Sequence, residues 1–178
     1  MNAANIRVLI VDDSALVRQV ISQALGHASG IEVMATASDP LFAIDKMRKD
    51  WPDVIILDIE MPRMDGLSFL RQVMAERPTP VIICSSLAES GSETLMQALA
   101  AGAVTCITKP KSSLKGFLED AANDIIAAVR GAARANVGAL LQLTRGGGPA
   151  SPAKPSIGMQ RPLHRADAIL PAASLAAP

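Results

Sequence analysis

The chain reads as an α/β protein built on a doubly wound, five-stranded parallel sheet. Three observations predict this. Short apolar runs rich in β-branched residues recur, with Arg7-Val8-Leu9-Ile10-Val11 and Val54-Ile55-Ile56-Leu57 the clearest. Such runs suit strands covered on both faces, as in a parallel sheet. Between them lie segments with helical apolar spacing. The alternation persists for about the first 135 residues and then stops.

The elements follow in order. Strand one is expected over Ile6 to Val11. Helix one follows, capped by Asp13 or Ser14, with Val17, Val20, Ile21, Ala24 and Leu25 on one face. Strand two covers Ile31 to Ala37. Asp39-Pro40 starts helix two, since proline suits a first turn, and Leu41, Ile44 and Met47 are expected inward. Strand three is Val54 to Asp58, and a loop holding Pro62 leads to Gly66. Helix three turns Leu67, Leu70, Val73 and Met74 inward until Pro78 and Pro80 break it. Strand four is Val81 to Cys84, with Ser85 at its end. Helix four runs roughly from Glu89 to Ala101 and stops at Gly102. Strand five is Val104 to Thr108. Helix five spans about Ser113 to Arg134, with Leu118, Ala122, Ile125, Ile126 and Val129 on its stripe.

Beyond Leu143 the composition changes. Gly146-Gly147-Gly148 opens a stretch rich in Pro, Ala and Ser with no apolar period, which reads as a linker or disordered tail. A coil of about 33 residues would span roughly 30 Å. The expected division is a folded domain over residues 5–135 and a linker over 136–178, and a linker implies a further domain to join.

Of 178 residues, 49 % are hydrophobic, enough for a sizeable core. Lys plus Arg and Asp plus Glu both number 17, so charge gives no argument for a nucleic acid or an anionic membrane. The start Met1-Asn2-Ala3-Ala4-Asn5 lacks the basic cluster of a signal peptide, and no apolar run is long enough to span a bilayer. A cytoplasmic chain is expected. Cys84 and Cys106 lie in apolar runs and are expected as buried free thiols.

Three acids carry the chemistry. Asp12 and Asp13 close the first run and Asp58 closes the third, so all three fall at the carboxyl rim of the sheet, where open α/β sheets bind ligands. Clustered carboxylates repel by roughly 4 kcal/mol per pair at 4 Å and an effective dielectric of 20. A hard divalent cation offsets that charge, and oxygen donors suit Mg²⁺. A carboxylate beside such an ion can attack phosphorus. Capping of helix one would use one of the two adjacent acids, not both.

The same residues show a family resemblance. The acid pair Asp12-Asp13, the segment Asp58-Ile59-Glu60-Met61-Pro62-Arg63-Met64-Asp65-Gly66, Ser85 after strand four and Lys109-Pro110 after strand five resemble the receiver domain of two-component response regulators over about residues 5 to 130. That resemblance implies a flavodoxin-like (βα)5 fold. A finer resemblance is to the regulatory domain of the chemotaxis protein-glutamate methylesterase family. It rests on Val11 to Arg18, Glu60 to Leu67, the Ser85-Ser86-Leu87 stretch with Gly91, Glu93-Thr94 and Ala98-Leu99, and Thr108-Lys109-Pro110-Lys111. In that family a linker joins the receiver to a C-terminal esterase and deamidase (glutaminase) domain whose glycine-rich nucleophile turn is not in this sequence.

The resemblance implies roles. Asp58 would take a phosphoryl group from a chemotaxis histidine kinase. Asp12, Asp13, Asp58 and the backbone carbonyl of Glu60 would hold Mg²⁺. Lys109 would pair with Asp58 and later with a phosphoryl oxygen, aimed by a cis bond to Pro110. Ser85 would donate to that oxygen, with Ser86 a weaker candidate. Through the complete protein the partners would be chemoreceptors and the chain's own esterase domain. Cys106 departs from the pattern, because many receivers place there an aromatic that swings inward. Either backbone and helix-four shifts carry the signal, or Met96 or another neighbour fills the space. The competing expectations are a receiver standing alone or feeding a DNA-binding domain, and a Mg²⁺ phosphohydrolase, which would need a substrate-binding cap that the sequence lacks.

Overall fold

The structure is a computed structural model that describes residues 5–61, 65–86, 92–110, 114–139 and 142, without the side chains of 114–120. Strands and helices alternate as β1 (Ile6–Val11), α1 (Ala15–Gly26), β2 (Ile31–Ala37), α2 (Pro40–Lys49), β3 (Val54–Asp58), α3 (Gly66–Glu76), β4 (Val81–Ser85), α4 (Glu93–Ala100), β5 (Thr105–Thr108) and α5 (Leu114–Ala133). The strands are all parallel, in the order β2-β1-β3-β4-β5. The winding reverses between β1 and β3, and the crevice beyond their carboxyl ends is the switch point at which such sheets bind ligands.

The period of two along each strand divides the core. Leu9, Val11, Ile55, Leu57, Val81 and Ile83 pack with Met47, Phe69, Leu70 and Leu95 on one face. Val8, Ile10, Val54, Ile56, Ile82 and Cys84 pack with Ile21, Leu25, Ile125 and Val129 on the other. Thus α2, α3 and α4 cover one side, and α1 and α5 the other. Each fully buried aliphatic side chain contributes about 1.5–3 kcal/mol. Burial on both faces explains why these strands read as unbroken apolar runs.

Most helix faces match the sequence pattern. Ser14 caps α1, its Oγ accepting from the Val17 N–H at 3.3 Å, and the buried face is Val17, Val20, Ile21, Ala24 and Leu25. Helix α3 buries Leu67, Leu70, Val73 and Met74, and also Phe69, which the apolar count left out. Helix α2 corrects one expectation. Its buried stripe is Pro40, Ala43 and Met47, while Leu41 is 63 % exposed and Ile44 is half-buried. With Asp39 capping at the Phe42 N–H, Pro40 occupies the inward position of the first turn, and the next residue, about 100° further round, points to solvent.

Helix α4 is capped by Ser92, and residues 87–91, where the sequence suggested its start, lie outside the described residues. It ends before Gly102, whose φ of +112° is a conformation L side chains rarely adopt. On α5, Ile125 and Val129 are buried and Ile126 packs beside them, whereas Leu118 lies outside the described side chains. Val137, placed by composition in the linker, is 4 % exposed and belongs to the core cluster on the α2–α3–α4 face. No helix among the described residues is long and apolar enough to cross a membrane.

Gly66 positions the site most directly. A Cβ there would lie 2.7 Å from the Asp58 carbonyl oxygen and 2.8 Å from the Ile59 Cα, both backbone atoms that cannot swing aside. Gly66→Ala should therefore cost about 1–3 kcal/mol of stability as an overpacking change. A denaturant melt unchanged from wild type would show that the β3 end yields freely.

Candidate functional site

Each candidate side chain stands at a strand's carboxyl end. Asp12 and Asp58 lie one step beyond the Val11–Leu57 register pair of β1 and β3, and both are buried, at 1 % and 0 % exposure. Asp13 is exposed beside them. Carboxylate oxygens of Asp12, Asp13 and Asp58 all lie within 4.8 Å of one another. Lys109, just past β5, reaches across to put Nζ 2.6 Å from Asp58 Oδ2 and 3.7 Å from Asp12 Oδ2. Ser85 closes β4 and is buried at the same rim.

Backbone donors fix the acids. The Ser14 N–H donates to Asp12 Oδ1 at 2.8 Å, and the Glu60 N–H donates to Asp58 Oδ1 at 2.8 Å. The Lys109 N–H donates to the Ser85 carbonyl at 2.9 Å, tying the ends of β4 and β5 together. Among the described residues no peptide bond is cis, so the Lys109–Pro110 bond is trans, contrary to the expectation drawn from resemblance. The lysine's reach across the rim, with its own backbone held by Ser85, meets Asp58 from the trans form.

Two contacts had no counterpart in the sequence reading. Arg18, half-buried on α1, donates from Nη1 to the Asp12 carbonyl at 2.6 Å and holds the β1–α1 turn. The Glu60 side chain accepts from Ser86 Oγ at 2.6 Å and from the Ser86 N–H at 3.3 Å. Neither leaves a sequence pattern, because each joins a loop to an element set by the fold.

Burial governs the electrostatics. It pushes the Asp12 carboxyl up to about 6, against the Ser14 N–H and Lys109, while the neighbouring acids add to the rise. Burial also raises Asp58, outweighing the Lys109 hydrogen bond. Desolvation works against the Lys109 ammonium, yet its pairing with Asp58 and Asp12 leaves its pKa raised and the side chain charged. Asp12 Oδ2 is buried with no hydrogen-bond partner among the described residues. An orphan carboxylate oxygen among three converging acids fits an oxygen-loving divalent cation, which would draw on Asp12, Asp13 and Asp58.

The cysteines take no part. Cys84 is a buried free thiol whose pKa burial pushes up. Cys106 is half-buried and, with Thr108, Asp124, Ile125 and Ala128, lines a cavity of about 400 Å³ between β5 and α5. Met96 is 60 % exposed and does not fill that space.

Fold and site together define a class. The family model for the response regulator receiver domain matches residues 8–119, and the chain belongs to that family. More particularly, it is a receiver of the chemotaxis methylesterase type. It is 65 % identical over 132 residues to protein-glutamate methylesterase/protein-glutamine glutaminase 2 of Dechloromonas aromatica, covering 74 % of this chain and 37 % of that protein. It is 39 % identical, with a TM-score of 0.67, to the response regulator domain of Thermotoga maritima CheB, covering 74 % of this chain and 98 % of that one. It also resembles a chain of the CheX–CheY–BeF3–Mg²⁺ complex from Borrelia burgdorferi, at 30 % identity and a TM-score of 0.59, covering 72 % and 89 %. The chain spans less than half the length of the curated relatives it matches.

The Asp12 shift has a measurable sign. Its folded value lies above the ordinary 3.8, so the folded chain holds this proton more tightly than the unfolded one. Without a cation, Asp12's contribution to stability is complete below about pH 4 and is lost as pH rises through about 6. A divalent cation needs the charged form and reverses the preference. The gain in melting temperature on adding Mg²⁺ should therefore be large near about pH 7.5 and shrink as pH falls through about 6. A gain that stays constant down to about pH 5 would remove Asp12 from the ligand set.

Proposed function

We propose that Asp58 is the phosphoacceptor, taking its phosphoryl group from a phosphohistidine on a chemotaxis kinase. The observation that carries this is the approach of the Lys109 ammonium to 2.6 Å from an acid that is itself grouped with Asp12 and Asp13. An Asp58 oxygen attacks phosphorus, the P–N bond breaks, and the imidazole leaves with the electron pair and takes up a proton. The transition state is loose, so positioning and charge count for more than covalent chemistry. The Glu60 N–H holds the Asp58 carboxylate in place. Lys109 moves from the carboxylate to a phosphoryl oxygen, and the Ser85 hydroxyl donates to another.

Asp12, Asp13 and Asp58, with the Glu60 carbonyl, are the proposed Mg²⁺ ligands. Bound Mg²⁺ would neutralise charge on the transferring phosphoryl oxygens. The Borrelia burgdorferi complex, which contains Mg²⁺ and BeF3, supports the assignment by analogy. Phosphorylation adds about −1.5 to −2 charges at the rim. In the complete protein that event would relieve inhibition of a C-terminal methylesterase/glutaminase domain acting on chemoreceptors in the cytoplasm. The names of the curated relatives favour that output over a DNA-binding one. Of residues 136–178, those beyond the core residue Val137 would then serve as the connection.

Asp58→Asn should abolish labelling by acetyl phosphate in Mg²⁺, with the melting temperature near or above wild type because relief of repulsion with Asp12 and Asp13 offsets the lost charge pairing with Lys109. Stoichiometric labelling of this variant would move the acceptor elsewhere. Ending the chain after Gly147 should leave the thermal midpoint within about 2 °C of the full chain, because a Pro-, Ala- and Ser-rich stretch with no apolar period contributes little to stability. A drop well beyond that would show that the tail packs on the domain.

A further inference from the structure

The geometry points to Glu60 as a positioning residue whose carboxylate holds, in the resting receiver, the Ser86 hydroxyl that a phosphoryl group on Asp58 would recruit beside Ser85. This inference rests on the reading of Asp58 as phosphoacceptor. Glu60 follows β3 and Ser86 follows β4, so their contact bridges the two loops that flank Asp58. The bridge is double, with Ser86 donating from Oγ at 2.6 Å and from its N–H at 3.3 Å to one oxygen, Oε2. A carboxylate oxygen is thus already seated against Ser86 before any phosphoryl group arrives.

A phosphoryl oxygen on Asp58 offers the Ser86 hydroxyl and N–H the same kind of partner, an anionic oxygen. The two acceptors compete, and Ser86 turns toward whichever prevails. Glu60 then stabilises the resting arrangement and sets how much phosphoryl binding energy the switch requires. Both Glu60 and Ser86 are exposed, so replacing either should cost the fold little.

Fluoroberyllate, a phosphoryl mimic, separates the possibilities when titrated into the full chain in saturating Mg²⁺ and followed by amide NMR. Ser86→Ala, which changes no charge, should lower the half-saturating concentration about fivefold, the net worth of one typical hydrogen bond. Glu60→Ala should lower it at least as far, and the double variant no further than Glu60→Ala alone. Glu60→Gln, which keeps an acceptor oxygen, should fall between Glu60→Ala and wild type. Additive effects, or a Ser86→Ala variant that needs as much fluoroberyllate as wild type or more, would overturn the latch. Uptake by wild type with additive variants would leave the phosphoacceptor reading standing, whereas no uptake by wild type would overturn both.

Discussion

Three carboxylates share the rim of the sheet with one ammonium, and the placement of the surrounding parts follows from that imbalance. With Asp12, Asp13 and Asp58 ionised against Lys109, the cluster carries a net charge of −3 + 1 = −2. At roughly 4 kcal/mol for each like-charged pair at 4 Å and an effective dielectric of 20, the lysine alone does not balance the set. The backbone absorbs part of the difference, through the Ser14 and Glu60 N–H groups. Proton uptake at Asp12 absorbs more, since burial first and the neighbouring acids second push its pKa up to about 6. The remaining demand is one that a divalent cation, as proposed, would meet.

The fold serves the cluster by keeping its scaffold indifferent to it. The strands of both core layers are sealed between helices, so the acids hang from a rim whose register is fixed below them by Val11–Leu57 and Asp58–Cys84. A one-residue slip would turn every core side chain to the wrong face. Gly66 adds a second constraint, bringing the first turn of α3 against the Asp58 backbone where no side chain fits. Precise carboxylate placement is thus a by-product of hydrophobic packing and one close approach.

The sheet and the acids were legible in the sequence because they depend on local pattern. Apolar runs on both faces mean buried parallel strands, and acids that end such runs must lie at one rim. Three features were not legible. The phase of α2 turned on which residue of its first turn faced inward, and Pro40 rather than Leu41 took that place. Arg18 and the Glu60–Ser86 bridge depend on how side chains and loops meet after the chain has folded, at separations of 6 and 26 residues. The form of the Lys109–Pro110 bond, inferred from resemblance, is a backbone choice that residue identity does not decide.

The absence of an aromatic at Cys106 changes where mechanical coupling has to reside. A cysteine beside a cavity of about 400 Å³ has neither the volume nor the packing to act as a piston between rim and surface. The backbone offers a stiffer route. Ser85 pairs in register with Thr108, and its carbonyl also holds the Lys109 N–H at 2.9 Å. The hydroxyl-bearing residue and the ammonium-bearing residue are therefore joined by one hydrogen bond at the very end of the β4–β5 ladder. Any displacement of Ser85 along the strand must either stretch that bond or carry the head of β5 with it. Because Lys109 also grips Asp58, the acid, the hydroxyl and the edge strand form a closed mechanical loop that needs no bulky side chain to complete it.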